Sequence, residues 1–135
     1  MPGERWIPQA AAIPVRDRSV CLITSSGGQR WVVPKGIIDP GMSAHQTALQ
    51  EAWEEAGLRG TLEPEPVGSY VYDKWGSTCH VTVFLMRVTE VLDDWPERSV
   101  RRRSWLSFRE AVARIQRPEL RDVVRRVLRD AGDSG

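Results

Sequence analysis

The stretch GIIDPGMSAHQTALQEAWEEAGL, residues 36–58, decides the fold and carries three glutamates, Glu51, Glu54 and Glu55. Good helix formers fill the part before Gly57, and at about 100° per residue the three acids fall on one side of the predicted helix. Like charges three and four residues apart destabilise a helix, so helix stability does not explain the cluster. A divalent cation does explain it, because Mg²⁺ prefers carboxylate oxygens and phosphates. The spacing therefore predicts a metal site.

The ends of this helix are predicted from its flanking residues. Ser43 is the expected N-cap, and Gln46 stands three residues later, where its side chain can complete a capping box. Gly57 supplies the left-handed stop. The predicted helix runs over residues 44–56.

The stretch resembles the box of the Nudix hydrolase family: Gly, five residues, Glu, seven residues, Arg-Glu, an apolar residue, any residue, Glu-Glu, any residue, Gly and an apolar residue. The positions that match are Gly36, Glu51, Ala52, Glu54, Glu55, Gly57 and Leu58. Met42 stands where the family has its first glutamate, and Gln50 where it has the arginine. Gln50 can hydrogen-bond but brings no charge to offset the acids, so metal binding and activity are expected to survive, while the metal affinity and the choice of catalytic base depend on these departures.

The resemblance implies an α/β fold of the Nudix type, an α/β/α sandwich with a mixed sheet between helices, in one domain over residues 1–135. The segments RWVVP, TEVLDDW and the basic run before Trp105 look like the diphosphoinositol polyphosphate phosphohydrolase (diadenosine polyphosphate hydrolase) branch. This implies hydrolysis, with Mg²⁺ or Mn²⁺, of phosphoanhydride bonds in diphosphoinositol polyphosphates, dinucleoside polyphosphates or related nucleotides.

The roles of the acids follow from that chemistry. Glu51, Glu54 and Glu55 would hold the metal, and Glu54 and Glu55 are the first candidates for the base that takes a proton from the attacking water. Crowded carboxylates titrate together, so spacing alone does not choose between the two. Three acids of a later loop, Asp93, Asp94 and Glu97, are also candidates, but an acidic loop is more often solvated.

Position and the family resemblance predict which residues contact the substrate: Arg16, Lys35, Gly36, Trp75, Arg101 and Arg103. The cations would contact phosphates, and Trp75 would stack on a nucleobase. Alternation along a strand would send Arg102 to the face opposite Arg101 and Arg103, so a surface role is the alternative for part of this run.

Strands are predicted over residues 9–15, 19–24, 30–33, 69–72, 78–88 and 101–106, and helices over 107–115 and from Pro118 onward. Lys35 and Gly36 are expected in a loop, and so is the proline-containing stretch TLEPEPVG.

Composition limits the partners of the chain. With 135 residues and a formal net charge of +1, it has no bulk attraction for nucleic acid or membrane. The start MPGERWIPQ lacks an apolar signal core, and no run approaches the roughly 18 apolar residues of a membrane span. A cytoplasmic protein acting on small polyphosphates is expected, with Cys21 and Cys79 as buried reduced thiols. The sequence does not predict the oligomeric state.

Two other functions fit parts of the sequence. The departures at Met42 and Gln50 are compatible with a non-catalytic sensor that kept the fold. The arginine run and the tryptophans are compatible with an RNA 5′-end pyrophosphohydrolase, although the near-neutral charge argues against a nucleic-acid partner.

Overall fold

The computed structural model describes residues 5–133, with side chains described as far as residue 130. Its strands are Trp6–Arg16 (β1), Ser19–Thr24 (β2), Trp31–Val32 (β3), Lys35–Ile37 (β4), Leu58–Leu62 (β5), Gly68–Lys74 (β6), Ser77–Val91 (β7) and Arg103–Ser107 (β8). Its helices are Ala44–Ala56 (α1), Phe108–Arg114 (α2) and Pro118–Asp133 (α3).

Helix α1, which carries the three glutamates, begins and ends where the sequence predicts. The Ser43 hydroxyl accepts from the Gln46 N–H at 3.0 Å, and the Gln46 side chain accepts from the Ser43 N–H at 2.8 Å. Gly57 ends the helix with φ of 66°, a left-handed conformation that glycine adopts without strain. Both caps are local, which is why the sequence predicts them correctly.

The sheet is mixed, as predicted. Strand β1 lies at its centre and runs parallel to β7 but antiparallel to β2 and β4. Strands β5 and β6 pair with β7, and β3 and β8 pair with β2. Helix α1 packs on one face of the sheet, and α2 and α3 cover the other.

Small residues on β1 let α1 approach the sheet closely. Ala10 and Ala12 point toward α1, whereas Ala11 and Ile13 point toward α3, and all four are fully buried. Burial on both faces explains why β1 reads as a continuous apolar run rather than an alternating one. The opposing face of α1 is lined by Ala48, Ala52 and Ala56.

Two segments that the sequence predicts as loops are strands. Each becomes a strand by pairing with a segment that is distant in the sequence. Strand β4, at Lys35–Ile37, pairs with Gln9, Ala10 and Ala11 of β1. Strand β5, at Leu58–Leu62, begins directly after the helix and overlaps the TLEPEPVG stretch, and it pairs with the end of β7. The predicted strand over 101–106 begins later, because β8 pairs with β2 only from Arg103 onward.

Strands β6 and β7 form the predicted hairpin, but its turn is shorter than expected. Its two central residues, Trp75 and Gly76, have φ of 55° and 72°. Positive φ at both positions is typical of the tight turn that matches the twist of paired strands.

The two cysteines are free and buried, as predicted. Burial raises the pKa of the Cys21 thiol to about 12, so this thiol stays protonated at neutral pH.

Candidate functional site

Glu55 forms the centre of the candidate site. Its side chain is largely buried at 11% exposure, and both of its carboxylate oxygens accept hydrogen bonds. The Lys35 backbone N–H donates to Oε1 at 3.1 Å, and Arg101 Nη2 donates to Oε2 at 3.0 Å. Burial nevertheless raises the pKa of Glu55, because desolvation outweighs the attraction of Arg101.

Glu51 lies beside Glu55, one helical turn earlier, and Gly36 gives it room. A Cβ on residue 36 would come within 2.7 Å of Glu51 Oε1, so only glycine permits this approach. Burial, followed by the charges of Glu55 and Glu54, raises the pKa of Glu51 to about 8. The charged form of Glu51 is therefore disfavoured, because burial and the neighbouring carboxylates act against it and no described residue forms a salt bridge with Glu51.

Glu54 is turned toward Gln50, whose Nε2 donates to its Oε1 at 2.9 Å. Within residues 5–133, no three acidic, histidine or cysteine side chains are arranged to hold a metal ion. The expected convergence of all three glutamates on one point is therefore not found, because Glu54 pairs along the helix. Glu51 and Glu55 form the acidic pair instead.

This pair fits a divalent cation of the Mg²⁺ type. Such a cation is held by one or two carboxylates together with substrate phosphates, and it keeps several waters. A carboxylate has about four lone-pair sites, so the two hydrogen bonds to Glu55 leave free acceptor capacity. A bound cation would supply the partner that the charged form of Glu51 lacks, since no described residue forms a salt bridge with it.

Arg101 joins Glu55 to the loop before β8. Its Nε donates to Glu97 Oε1 at 2.9 Å and its Nη1 to the Thr24 carbonyl at 2.9 Å, and its side chain is 10% exposed. Of the three loop acids considered from the sequence, Glu97 thus lies next to the site. Asp94 instead faces Arg98 at 3.8 Å.

The segment over residues 92–103 also closes the C-terminal end of α1. Carbonyls at a helix end lack partners within the helix. Here the Glu54 carbonyl accepts from Glu97 N, that of Glu55 from Trp95 Nε1, that of Ala56 from Arg103 Nη1 and that of Gly57 from Leu92 N. The turn that carries Glu54 and Glu55 is fixed by these contacts.

Arg103, predicted to bind substrate, is directed to this helix end. Its Nη1 donates to the Ala56 carbonyl at 2.8 Å, and its Nη2 donates to that of Leu92. Its guanidinium lies 4.1 Å from the centre of the Trp95 ring, and Trp95 packs against Gly57. Arg102 points to the opposite side, as strand alternation predicted, and faces Trp31.

Lys35 contacts Glu55 with its backbone N–H and directs its side chain toward Tyr72. Its Nζ donates to the Tyr72 hydroxyl at 2.8 Å, which donates to Gln9 Oε1 at 2.8 Å. The Arg117 guanidinium lies 4.3 Å from the centre of the same tyrosine ring. Burial lowers the pKa of Lys35, and Arg117 lowers it further. No sequence pattern indicated Gln9 or Arg117, because their partners are distant in the chain.

Arg16 and Trp75 lie apart from the glutamates. Arg16 is exposed at the end of β1, five residues beyond Ala11, which pairs with Lys35. At about 3.3 Å per residue, this is roughly 16 Å along the strand. Trp75 is 84% exposed in the hairpin turn, with Lys74 Nζ 4.2 Å from the ring centre.

Comparison with known proteins decides the family. The sequence profile of the NUDIX domain matches residues 6–130, almost all of the described chain. The chain belongs to the Nudix family. The family predicted from the glutamate spacing is thereby confirmed, and so is the predicted fold class.

Nudix proteins of the predicted branch are among the relatives of this chain. Diphosphoinositol polyphosphate phosphohydrolase 3-alpha of Mus musculus is 37% identical over 106 residues, 75% of this chain and 62% of that protein. Nudix hydrolase 12, mitochondrial, of Arabidopsis thaliana is 35% identical over 106 residues, 73% of this chain and 52% of that protein. The chain thus spans about half to three fifths of the length of these relatives.

Solved structures share the fold at low identity. An Ap4A hydrolase of C. elegans, in a binary complex, has a TM-score of 0.76 at 19% identity and covers 94% of this chain and 98% of its own. The E. coli ORF135 protein has a TM-score of 0.76 at 22% identity, and the match covers 97% of this chain and 96% of that protein.

Across the described residues, no helix is both long enough and apolar enough to cross a membrane. The cytoplasmic location stays a prediction from the sequence.

Proposed function

We propose that this chain is a divalent-cation-dependent hydrolase of phosphoanhydride bonds in small polyphosphates. Diphosphoinositol polyphosphates, dinucleoside polyphosphates and related nucleotides are the substrate class. The observation that carries the proposal is the acidic pair Glu51 and Glu55, which lies beside Gly36 and in which the charged form of Glu51 has no salt-bridge partner among the described residues. The names of the relatives, a diphosphoinositol polyphosphate phosphohydrolase and an Ap4A hydrolase, support the same class.

Glu51 and Glu55 would hold Mg²⁺ or Mn²⁺, with Glu54 close by on the same helix. The cation would neutralise phosphate charge and lower the pKa of bound water. Hydrolysis then forms a bond from the water oxygen to phosphorus, breaks the bridging P–O bond and passes a proton to a carboxylate. Glu54 and Glu55 are the proposed bases, and Glu97 joins them because it shares Arg101 with Glu55.

The basic residues have different parts in this reaction. Lys35 is the proposed phosphate contact, because its side chain is a half-buried cation whose nearest partner is a neutral hydroxyl. Arg101 would hold Glu55 and Glu97 in place, since three of its donors are already taken by protein acceptors. Arg103 would fix the end of the helix rather than reach a phosphate.

A substrate panel with Mg²⁺ and with Mn²⁺ tests the proposal. It compares diadenosine polyphosphates, inositol pyrophosphates, ADP-ribose, nucleoside triphosphates and 5′-triphosphate RNA, ranked by kcat/KM. We expect metal-dependent turnover of at least one small diphosphate, lost in Glu54→Gln with Glu55→Gln while the fold persists. Glu65→Gln, an exposed acid after α1, is the matched control and should keep activity. Full activity of the double variant would refute the proposal.

A non-catalytic sensor is the second candidate, favoured by the two donors that hold Glu55 and by Gln50 in place of the family's arginine. Such a protein would bind panel compounds without turning any of them over. Robust metal-dependent hydrolysis excludes it.

A further inference from the structure

A row of cations lies on the side of the sheet that α2 and α3 cover. Its members are Lys35, Arg102, Arg114 and Arg117. Within the part of the chain that the structure describes, none of them forms a salt bridge, whereas Arg59, Arg87, Arg98, Arg101 and Arg125 all do. The row therefore has positive charge available for an anion that is not part of the described chain.

Trp31 lies between two of these cations. The guanidinium carbons of Arg102 and Arg114 are each 6.0 Å from the centre of its ring. The ring is half-buried against the core, and its residue bridges to Ile115 at the end of α2. An exposed cation–π contact contributes only about 0.5–1 kcal/mol, so the ring orients the two guanidiniums without neutralising them.

Both ends of the row belong to segments that contact Glu55. Arg102 directly follows Arg101, which donates to Glu55 Oε2. At the other end, the Lys35 N–H donates to Glu55 Oε1, and Lys35 shares the Tyr72 ring with Arg117. Arg114 is the last residue of α2, and Arg117 directly precedes α3. Lys35 therefore links the two sides, because its backbone contacts Glu55 and its side chain belongs to the row, and a phosphate chain held at the acidic pair would reach the row past Lys35.

We propose that Trp31, Arg102 and Arg114 form a subsite for phosphates beyond the diphosphate that is cleaved. The ligand class is a small, phosphate-rich polyanion, because paired guanidiniums bind phosphate oxygens through two parallel hydrogen bonds. The subsite rests on the proposed function for its place in a reaction, but binding alone can test it. It selects substrates with many phosphates over those that carry only one diphosphate.

Calorimetry with inositol hexakisphosphate and the metal-free chain tests the subsite, because this polyanion has no anhydride to cleave. We expect Arg102→Gln with Arg114→Gln to weaken binding about tenfold or more. The matched control is Arg59→Gln with Arg125→Gln, which removes the same charge from exposed arginines elsewhere and should change binding less than about twofold. Melting temperatures verify that both variants are folded.

Equal weakening in the two double variants would overturn the subsite, since net charge alone would then explain binding. No weakening in either would also overturn it. Tighter binding of single-stranded RNA than of inositol hexakisphosphate, lost in Arg102→Gln with Arg114→Gln, would assign the row to nucleic acid and contradict the proposal.

A kinetic comparison separates this inference from the proposed function. In the Arg102→Gln, Arg114→Gln variant, kcat/KM for a phosphate-rich substrate should fall about tenfold, while that for ADP-ribose stays unchanged. Equal loss for both substrates would contradict a distal subsite. If the wild type hydrolyses no diphosphate but binds inositol hexakisphosphate through these arginines, the subsite stands and the proposed function fails.

Discussion

Gly36 gives Glu51 its place beside Glu55 by having no side chain. In Gly36→Ala, the new Cβ would meet the carboxylate of Glu51, which is the flexible end of a side chain and can swing away. We therefore expect little loss of stability, with the melting temperature within about 2 °C of wild type. Activity should fall about 100-fold, because small displacements at reacting groups are costly.

Gly27→Ala is the control for this substitution. A Cβ at Gly27 would meet no atom within 4 Å, and Gly27 lies in an exposed turn. It should leave both activity and melting temperature unchanged. Wild-type kcat/KM in Gly36→Ala would show that Glu51 does not need this position.

The raised pKa of Glu51 predicts that the stability of the metal-free chain depends on pH. Its pKa is about 8 when folded and 4.5 as the ordinary value, so between these values the folded chain holds a proton that the unfolded chain has released. Stability should therefore fall as pH rises from about 5 to about 8. Melting temperatures measured in chelator across this range test it.

Two further measurements test whether Glu51 causes this pH dependence. Glu51→Gln should reduce the fall, because it removes one titrating group and leaves Glu55, whose pKa is also raised. Mg²⁺ added at pH 8 should restore stability, because it replaces the proton as the positive partner of the acids. A metal-free profile that is flat in wild type would contradict the burial of an uncompensated Glu51.

At the scale of elements, features set by residues close in the sequence were predictable, whereas contacts between distant segments were not. The caps of α1 depend on residues three apart, and Ser43, Gln46 and Gly57 are sufficient to predict them. Strand β4 forms because Lys35–Ile37 pairs with β1, so no local sequence pattern predicts it. The same holds for the contact of Arg101 with Glu55, 46 positions away.

The segment over 92–103 stabilises α1 by satisfying its terminal carbonyls. Arg103→Gln would leave the carbonyls of Ala56 and Leu92 without their guanidinium donors. We expect the free energy of unfolding to drop by about 1–3 kcal/mol. Denaturant titration measures it, with Arg98→Gln in the same segment as a control that stays within about 0.5 kcal/mol. An equal effect of the two variants would refute a capping role for Arg103.

Across the whole molecule, a near-neutral net charge conceals two separated regions of opposite sign. The acidic pair lies on the α1 side of the sheet, and the row of cations lies on the α2 and α3 side. Glu55 contacts the backbone of Lys35, which belongs to the row, and the side chain of Arg101, which precedes Arg102 in the sequence. Net charge predicts no bulk attraction for nucleic acid, and it could not reveal this separation, because the charges are sorted only in the folded chain.

Binding of Mn²⁺ to the substrate-free chain, followed by electron paramagnetic resonance, tests the central claim most directly. Glu51 and Glu55 together should hold the cation. Glu51→Gln and Glu55→Gln are each expected to raise the Kd at least about tenfold, while Glu65→Gln leaves it unchanged. A double variant Glu51→Gln, Glu55→Gln that binds Mn²⁺ as tightly as wild type would contradict the account.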